Sequence, residues 1–142
     1  MPTIKVLIVD DERDFAIALS ERLMLRGYEV STAFAAEDAL PAAVSARPEV
    51  VLLDMKMPGM DCSRIFNELK GFDDTMEIII ISGRLADENG LEDIKNRAFD
   101  YILKPAELAE VESKLGKAWA VRREKTDGKS AEKTDDKSRG TA

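Results

Sequence analysis

The chain has 142 residues, a formal net charge of −7, one cysteine and no histidine. This length suits one domain with a real hydrophobic core and leaves no room for a second domain of ordinary size. The absence of histidine excludes Ser-His and Cys-His nucleophilic catalysis, histidine metal sites and a phosphohistidine carrier role. The single cysteine excludes an internal disulfide.

Charge and hydropathy also limit where the protein works. Excess acid argues against a nucleic-acid surface, because phosphate backbones are bound by clustered lysine and arginine. No uncharged apolar stretch is long enough to span a membrane, and the run Ile4 to Val9 is too short for a signal peptide. We therefore expect a soluble, cytoplasmic protein that neither inserts into a membrane nor binds nucleic acid directly.

Five apolar segments predict the strands of a sheet. The third and fourth are uninterrupted apolar runs, which are typical of strands buried on both faces. The first, third, fourth and fifth segments end at polar or turn-forming residues, which mark those strand ends. The segments are Ile4 to Val9, Tyr28 to Ala33, Val50 to Asp54, Ile78 to Ile81 and Phe99 to Leu103.

Five helical patterns alternate with these strands. The first ends at Gly27, which can supply a left-handed stop. In the second, Pro41 lies too deep for the first turn and is expected to remove a hydrogen bond or kink the helix. The fourth, Arg84 to Asn96, has the weakest pattern. The other helical patterns are centred on residues 15–23, 36–44, 65–69 and 108–121.

The alternation predicts right-handed βαβ units and a doubly wound parallel sheet within a three-layer α/β sandwich. This domain would occupy residues 1–123. In residues 124–142 the apolar residues are Ala131 and Ala142, and five acids balance five bases. Such a segment cannot bury enough apolar surface to fold, so we expect a disordered polar tail.

Polar residues stand where four of the predicted strands end. The carboxyl ends of parallel strands lie at one edge of the sheet, and in open α/β sheets ligands bind at that edge. The side chains should therefore gather at one site. They are Asp10 and Asp11 after the first strand, Asp54 at the end of the third, Ser82 and Gly83 at the fourth, and Lys104 after the fifth.

These residue types suit a phosphate beside a metal ion. Three neighbouring carboxylates repel one another strongly, and Mg²⁺ with oxygen ligands is the usual resolution. Lys104 and Ser82 bind such a metal poorly but can donate hydrogen bonds to phosphoryl oxygens. The sequence has no glycine-rich nucleotide loop. A side chain is then the remaining candidate for the phosphoryl acceptor, and Asp54 is central.

Four ordered segments together resemble the receiver domain of two-component response regulators, over about residues 4 to 121. The resemblance implies a CheY-like, flavodoxin-like fold with sheet order 2-1-3-4-5. It implies that a sensor histidine kinase or a histidine phosphotransfer protein donates a phosphoryl group to Asp54. The segments are Val9 to Glu12, Leu53 to Met60, Ile81 to Gly83 and Asp100 to Pro105.

The resemblance also implies which acids bind the metal directly and which one acts through a water molecule. Asp11 and Asp54 would bind Mg²⁺ directly, together with the backbone carbonyl of Lys56. Asp10 would act mainly through a metal-bound water. Catalysis would be limited to the chain's own phosphorylation and dephosphorylation.

The phosphoryl group would be bound from the other strand ends. Ser82 and the amide of Gly83 would bind its oxygens, and Lys104 would pair with it beside a cis bond to Pro105. Tyr101 would be the switch aromatic that turns inward as Ser82 moves. The fourth helix, fifth strand and last helix would then contact an unidentified downstream protein.

Two positions depart from the usual family pattern. Gly83 stands where alanine is more common, and Arg97 stands where a glycine commonly precedes the fifth strand, so Arg97 is expected to adopt a positive φ or to reshape that loop. Because no effector domain follows residue 121, we expect a stand-alone phosphoacceptor. Two alternatives remain open: an interaction module that is never phosphorylated, and a hydrolase with an aspartate nucleophile, which would need an acid at Lys56.

Overall fold

The computed structural model describes residues 3–55, 57, 61–83, 94 and 96–141, with only the backbone for residues 62 and 128–141. One parallel sheet has the strand order β2-β1-β3-β4-β5. This confirms the predicted α/β fold and its strand order. The strands are β1 (Lys5–Val9), β2 (Glu29–Ala33), β3 (Val50–Asp54), β4 (Glu77–Ser82) and β5 (Asp100–Leu103).

Helices cover both faces of the sheet. They are α1 (Arg13–Leu25), α2 (Ala39–Ala46), α3 (Cys62–Phe72) and the C-terminal helix (Leu108–Thr141). The predicted fourth helix falls largely outside the described residues. Of its neighbourhood, Ile94, Asn96 and Arg97 have helical backbone. None of the helices, within the described residues, is both long enough and apolar enough to cross a membrane.

Alternating side chains of β3 and β4 build the two halves of the core, because successive residues of a strand point to opposite faces. Val51 and Ile80 pack on one face among residues of α2 and α3, and Leu52 and Ile79 pack on the other among residues of α1 and the C-terminal helix. All residues of β3 and β4 are buried. The centre of the sheet is therefore shielded from solvent as far as Asp54 and Ser82, where β3 and β4 end.

The start of α2 corrects the prediction for Pro41. A 3₁₀ turn over Ala36–Asp38 comes first, and the α-helix begins only at Ala39. Pro41 is thus the third residue of α2, within the first turn, where backbone N–H groups have no partner inside the helix. Its missing N–H removes no hydrogen bond there.

Arg97 does not adopt a positive φ. Among the described non-glycine residues, positive φ occurs at Arg47, which caps α2 at φ 51°. Arg97 is helical, donates to Asn67 Oδ1 at 2.6 Å and lies 4.8 Å from the ring centre of Phe66. The expectation of backbone strain at Arg97 is wrong. Gly27 adopts φ 95° after α1, as predicted.

A cluster of four charged residues and one tryptophan joins the C-terminal helix to the amino edge of the sheet, opposite the predicted site. Glu49, just before β3, accepts from Trp119 Nε1 at 3.0 Å and from Arg122 at 2.9 Å. Glu77, the buried first residue of β4, pairs with Lys125. We call these five residues the base clamp. It fixes the helix between residues 119 and 125, which is beyond the last fully buried apolar position, Ala118.

The C-terminal helix continues to Thr141, so residues 124–141 have helical backbone where the composition predicts disorder. Because the base clamp anchors the helix as far as Lys125, the extension continues an existing helix and avoids the unfavourable nucleation step. In an isolated helix, lysines at the four-residue spacing found from Lys125 to Lys137 repel one another and lower the helix stability. The division of the chain into a domain over 1–123 and a separate tail stays a prediction.

Truncation tests that division. A chain that ends at Asp127 is expected to unfold with a free energy within about 0.5 kcal/mol of the full chain, as for surface changes in general. The reason is that Lys125 makes the last described side-chain contact with the rest of the domain. Urea denaturation of both chains measures this. A loss several times larger would show that the extension is part of the domain.

Candidate functional site

Asp10 and Asp54 lie side by side at the carboxyl edge of the sheet. Their strands are neighbours, with Val9 paired to Leu53. Both aspartates are almost completely buried, with exposed fractions of 0% and 3%. Asp10 extends the β1–β2 ladder by donating its N–H to Ala33 O at 3.0 Å. Two carboxylates out of water in such proximity require a neighbouring positive charge.

Lys104 supplies that charge. Its N–H donates to Ser82 O at 2.8 Å, which extends the β4–β5 ladder, and its bond to Pro105 is cis, as the resemblance implies. Its Nζ lies 2.7 Å from Asp10 Oδ2 and 3.6 Å from Asp54 Oδ2. The side chain is only 11% exposed. The ring of Phe15 lies beneath the ammonium, with its centre 4.5 Å from Nζ.

The pKa of Lys104 is raised above its usual value. Burial is the largest influence and lowers the pKa, but hydrogen bonds to Asp10 and Glu12 and the charges of Asp54 and Asp10 together outweigh it. Because the ordinary pKa of lysine is already far above neutrality, Lys104 is an ammonium ion at physiological pH. The site therefore contains a fixed cation among its acids.

The third carboxylate of the site belongs to Glu12. Among the described residues, oxygens of Asp10, Glu12 and Asp54 lie within 4.8 Å of one another. Glu12 Oε1 lies 2.7 Å from Lys104 Nζ. Asp11 is exposed and does not belong to this group. Sequence reasoning missed Glu12, although it follows Asp10 and Asp11 directly in the chain.

Local hydrogen bonding explains why Glu12 reaches the site. The N–H of Glu12 donates to Asp10 Oδ1 at 2.9 Å, which turns the chain back on itself just before α1 begins. This is the short-range bond by which an aspartate side chain commonly organises a turn. The turn brings Glu12 over the edge of the sheet and leaves Asp11 in solvent.

The carboxylates suit a hard divalent cation. Oxygens from three acids lie within reach of one ion, and oxygen is the donor that Mg²⁺ requires. Asp10 Oδ2 is buried, and its contact is the close one with the ammonium of Lys104. The ammonium of Lys104 thus lies at a position where the surrounding carboxylates favour a positive charge. The Lys56 carbonyl predicted as a ligand lies outside the described residues.

The remaining predicted residues surround this cluster. Ser82 is completely buried at the end of β4, and the exposed Gly83 follows it. Among the described residues, a Cβ at Gly83 would meet no atom within 4 Å, so these residues leave room for the usual alanine. Tyr101 is half-buried in β5 and packs against the core on the α2 and α3 side. The structure thus brings Asp10, Asp54, Ser82 and Lys104 to one edge, as predicted.

Residues 6–116 match the family profile of the response regulator receiver domain. This match covers most of the chain and agrees with the fold and with the polar edge of the sheet. The chain is a response-regulator receiver domain.

Relatives of this receiver domain include transcriptional regulators. Transcriptional regulatory protein PrrA of Mycobacterium leprae is 34% identical over 90% of this chain and 54% of its own length. Transcriptional regulatory protein KdpE of Mycobacterium tuberculosis is 36% identical over 78% of this chain and 48% of its own length. The chain thus spans about half the length of these curated relatives.

Solved structures share the fold. NtrX from Brucella abortus superimposes with a TM-score of 0.80 at 28% identity, over 90% of this chain and 30% of NtrX. The response regulator TrrA from Thermotoga maritima, solved in complex with Mg(2+)-BeF, gives 0.71 at 28% identity, over 82% of this chain and 99% of TrrA. The receiver fold therefore accounts for nearly all of the described domain.

Proposed function

We propose that this receiver domain accepts a phosphoryl group on Asp54, with Mg²⁺ bound, and then changes conformation to control a partner in a two-component phosphorelay. The supporting observation is the position of Lys104. A buried ammonium lies 3.6 Å from Asp54 Oδ2 and 2.7 Å from Asp10 Oδ2. An acceptor carboxylate, a fixed cation and a further acid for a metal are the parts that phosphoryl transfer requires.

The reaction is a displacement at phosphorus. An oxygen of Asp54 forms a bond to the phosphorus atom, the phosphorus–nitrogen bond of the donor's phosphohistidine breaks, and the bonding pair stays on the histidine nitrogen. Lys104 offsets the negative charge that builds on the phosphoryl oxygens. Bound Mg²⁺ would supply further neutralisation of this charge. Ser82 and the Gly83 amide would donate to the same oxygens.

The metal ligands remain part of the proposal. The family resemblance favours Asp10, Asp11, Asp54 and the carbonyl of Lys56. The geometry favours Asp10 and Asp54. Glu12 lies near both but pairs with Lys104, and Asp11 lies exposed beside them. The complex of the relative TrrA with Mg(2+)-BeF supports a magnesium-dependent site.

Receiver domains are signalling modules, and the partners are the finer part of the proposal. A sensor histidine kinase or a histidine phosphotransfer protein, acting in the cytoplasm, would be the donor. Tyr101 would couple the state of Asp54 to the surface formed by β5, the C-terminal helix and the predicted fourth helix. An unidentified downstream protein would bind that surface. Any catalysis would be confined to forming and hydrolysing the aspartyl phosphate.

Intact-mass spectrometry after incubation with acetyl phosphate tests this function. The wild-type chain is expected to gain one phosphoryl group in Mg²⁺ and none in EDTA. Asp54→Asn should gain none, and Asp127→Asn, which changes an exposed acid beyond the base clamp, should behave as wild type. The wild-type chain could instead stay unmodified with acetyl phosphate and also with a phosphorylated kinase as the donor. That result would favour the alternative function, an interaction module that is never phosphorylated.

A further inference from the structure

Glu12 contacts the ammonium of Lys104 more closely than the proposed acceptor, Asp54, does. Its Oε1 lies 2.7 Å from Lys104 Nζ, the same distance as Asp10 Oδ2, whereas Asp54 Oδ2 lies at 3.6 Å. Lys104 is thus drawn toward the β1 side of the site and away from the proposed acceptor.

We propose that Glu12 is a positioning residue, which holds the ammonium of Lys104 away from Asp54 until a phosphoryl group competes for it. This inference rests on the proposed function, since the competing group is the one on Asp54. Glu12 acts through Lys104.

The different burial of the two acids determines which contact can be released. Asp10 is completely buried and its Oδ1 also accepts the N–H of Glu12, so its position is fixed. The side chain of Glu12 is 64% exposed, and water can replace Lys104 as its partner. The contact between Glu12 and Lys104 is therefore the weaker restraint on the lysine.

Phe15 limits where the ammonium can go. Its ring lies 4.5 Å from Lys104 Nζ, so one side of the cation faces an aromatic surface. The charged partners of Nζ are Asp10, Glu12 and Asp54. A short movement of Nζ from Glu12 toward Asp54 would keep Asp10 as a partner, because Nζ carries three donors. Glu12 thus determines where the ammonium of Lys104 lies before a phosphoryl group is present.

Removing the charge of Glu12 should favour the phosphoryl-bound state. Exposed ion pairs contribute modestly, so the expected gain in affinity for a phosphoryl mimic is about two- to fivefold. Because Glu12 is exposed, the gain should shrink as salt is raised to about 1 M. A mutation that merely perturbed the fold would lower the affinity.

The first experiment measures the contact without any phosphoryl chemistry. Wild type, Glu12→Gln and Glu21→Gln are treated with a limiting acetylating reagent in EDTA, and labelling of each lysine is measured by peptide mass spectrometry. Lys104 of Glu12→Gln should be labelled about two- to fivefold faster than in wild type. Lys117, which is exposed on the C-terminal helix, is the reference within each sample. Glu21→Gln removes a different exposed acid, from α1, and should match wild type.

The second experiment measures the consequence. The dissociation constants of Mg²⁺ alone and of beryllium fluoride with saturating Mg²⁺ are determined for the same three chains by calorimetry. Glu12→Gln should bind beryllium fluoride more tightly and Mg²⁺ as wild type does. A strong loss of Mg²⁺ affinity in Glu12→Gln would make Glu12 a metal ligand and would overturn the positioning role.

Equal labelling of Lys104 in wild type and Glu12→Gln, or equal affinity for beryllium fluoride, would also overturn it. Failure of the proposed function gives a different result: the wild-type chain would then bind no beryllium fluoride in Mg²⁺. The labelling experiment would still decide whether Glu12 restrains Lys104.

Discussion

Lys104→Met is expected to lower the free energy of unfolding by about 3 kcal/mol when divalent cations are absent. The methionine keeps the apolar stem but removes the ammonium, so the buried carboxylates of Asp10 and Asp54 lose their neighbouring cation. Urea denaturation in EDTA measures the loss. Lys5→Met is the control, because Lys5 lies in an exposed pair 3.9 Å from Glu29 and should change stability by less than about 1 kcal/mol.

Magnesium should restore much of this loss. Without the ammonium, the carboxylates offer the same negative charge with no competing cation, so the variant should bind Mg²⁺ more tightly than wild type does. A ligand that binds only the folded state raises stability with its concentration. The urea concentration at which half of the Lys104→Met chains are unfolded should therefore rise more steeply with Mg²⁺ concentration than it does for wild type. A variant as stable as wild type in EDTA would contradict this description of the site.

Glu49→Gln is expected to destabilise the domain by about 2 kcal/mol, because a charged acceptor of two side-chain hydrogen bonds becomes neutral. Glu49 accepts from Trp119 and Arg122 of the C-terminal helix and also from the N–H of Lys5. Its side chain is only 16% exposed, so water cannot readily replace these contacts. Urea denaturation of the two chains measures the change.

Glu29→Gln is the matched control, since Glu29 is 64% exposed and pairs loosely with Lys5. It should change stability by less than about 1 kcal/mol. Amide exchange locates the effect: in Glu49→Gln the C-terminal helix near Trp119 should lose protection more than β3 does. Equal stability of Glu49→Gln and Glu29→Gln would mean that the base clamp does not hold the helix.

The central part of the fold could be predicted from the sequence because its signal is local. The uninterrupted apolar runs of β3 and β4 have few alternatives to a buried parallel strand, and turn residues mark their ends. Parallel strands then place Asp10, Asp54, Ser82 and Lys104 at one edge without any knowledge of side-chain positions. The strand order alone therefore predicts which of these residues come together at the site.

Contacts between distant residues could not be predicted in this way. The base clamp joins Glu49 to Trp119 and Arg122 across a sequence separation of 70 and 73 residues, and no local pattern marks such pairs. Pro41 was misjudged because a 3₁₀ turn delays the start of α2. Glu12 was missed because its position depends on the turn made by the Asp10 side chain.

Chemical trapping can show whether Asp54 is the residue that carries the phosphoryl group. An aspartyl phosphate is an acyl phosphate, which borohydride reduces to an alcohol, so a phosphorylated aspartate becomes homoserine. After acetyl phosphate and Mg²⁺ treatment, peptide mass spectrometry should find homoserine at position 54 and aspartate at positions 10 and 11. Homoserine at position 10 or 11 with intact Asp54 would mean that a different aspartate is the phosphoryl acceptor.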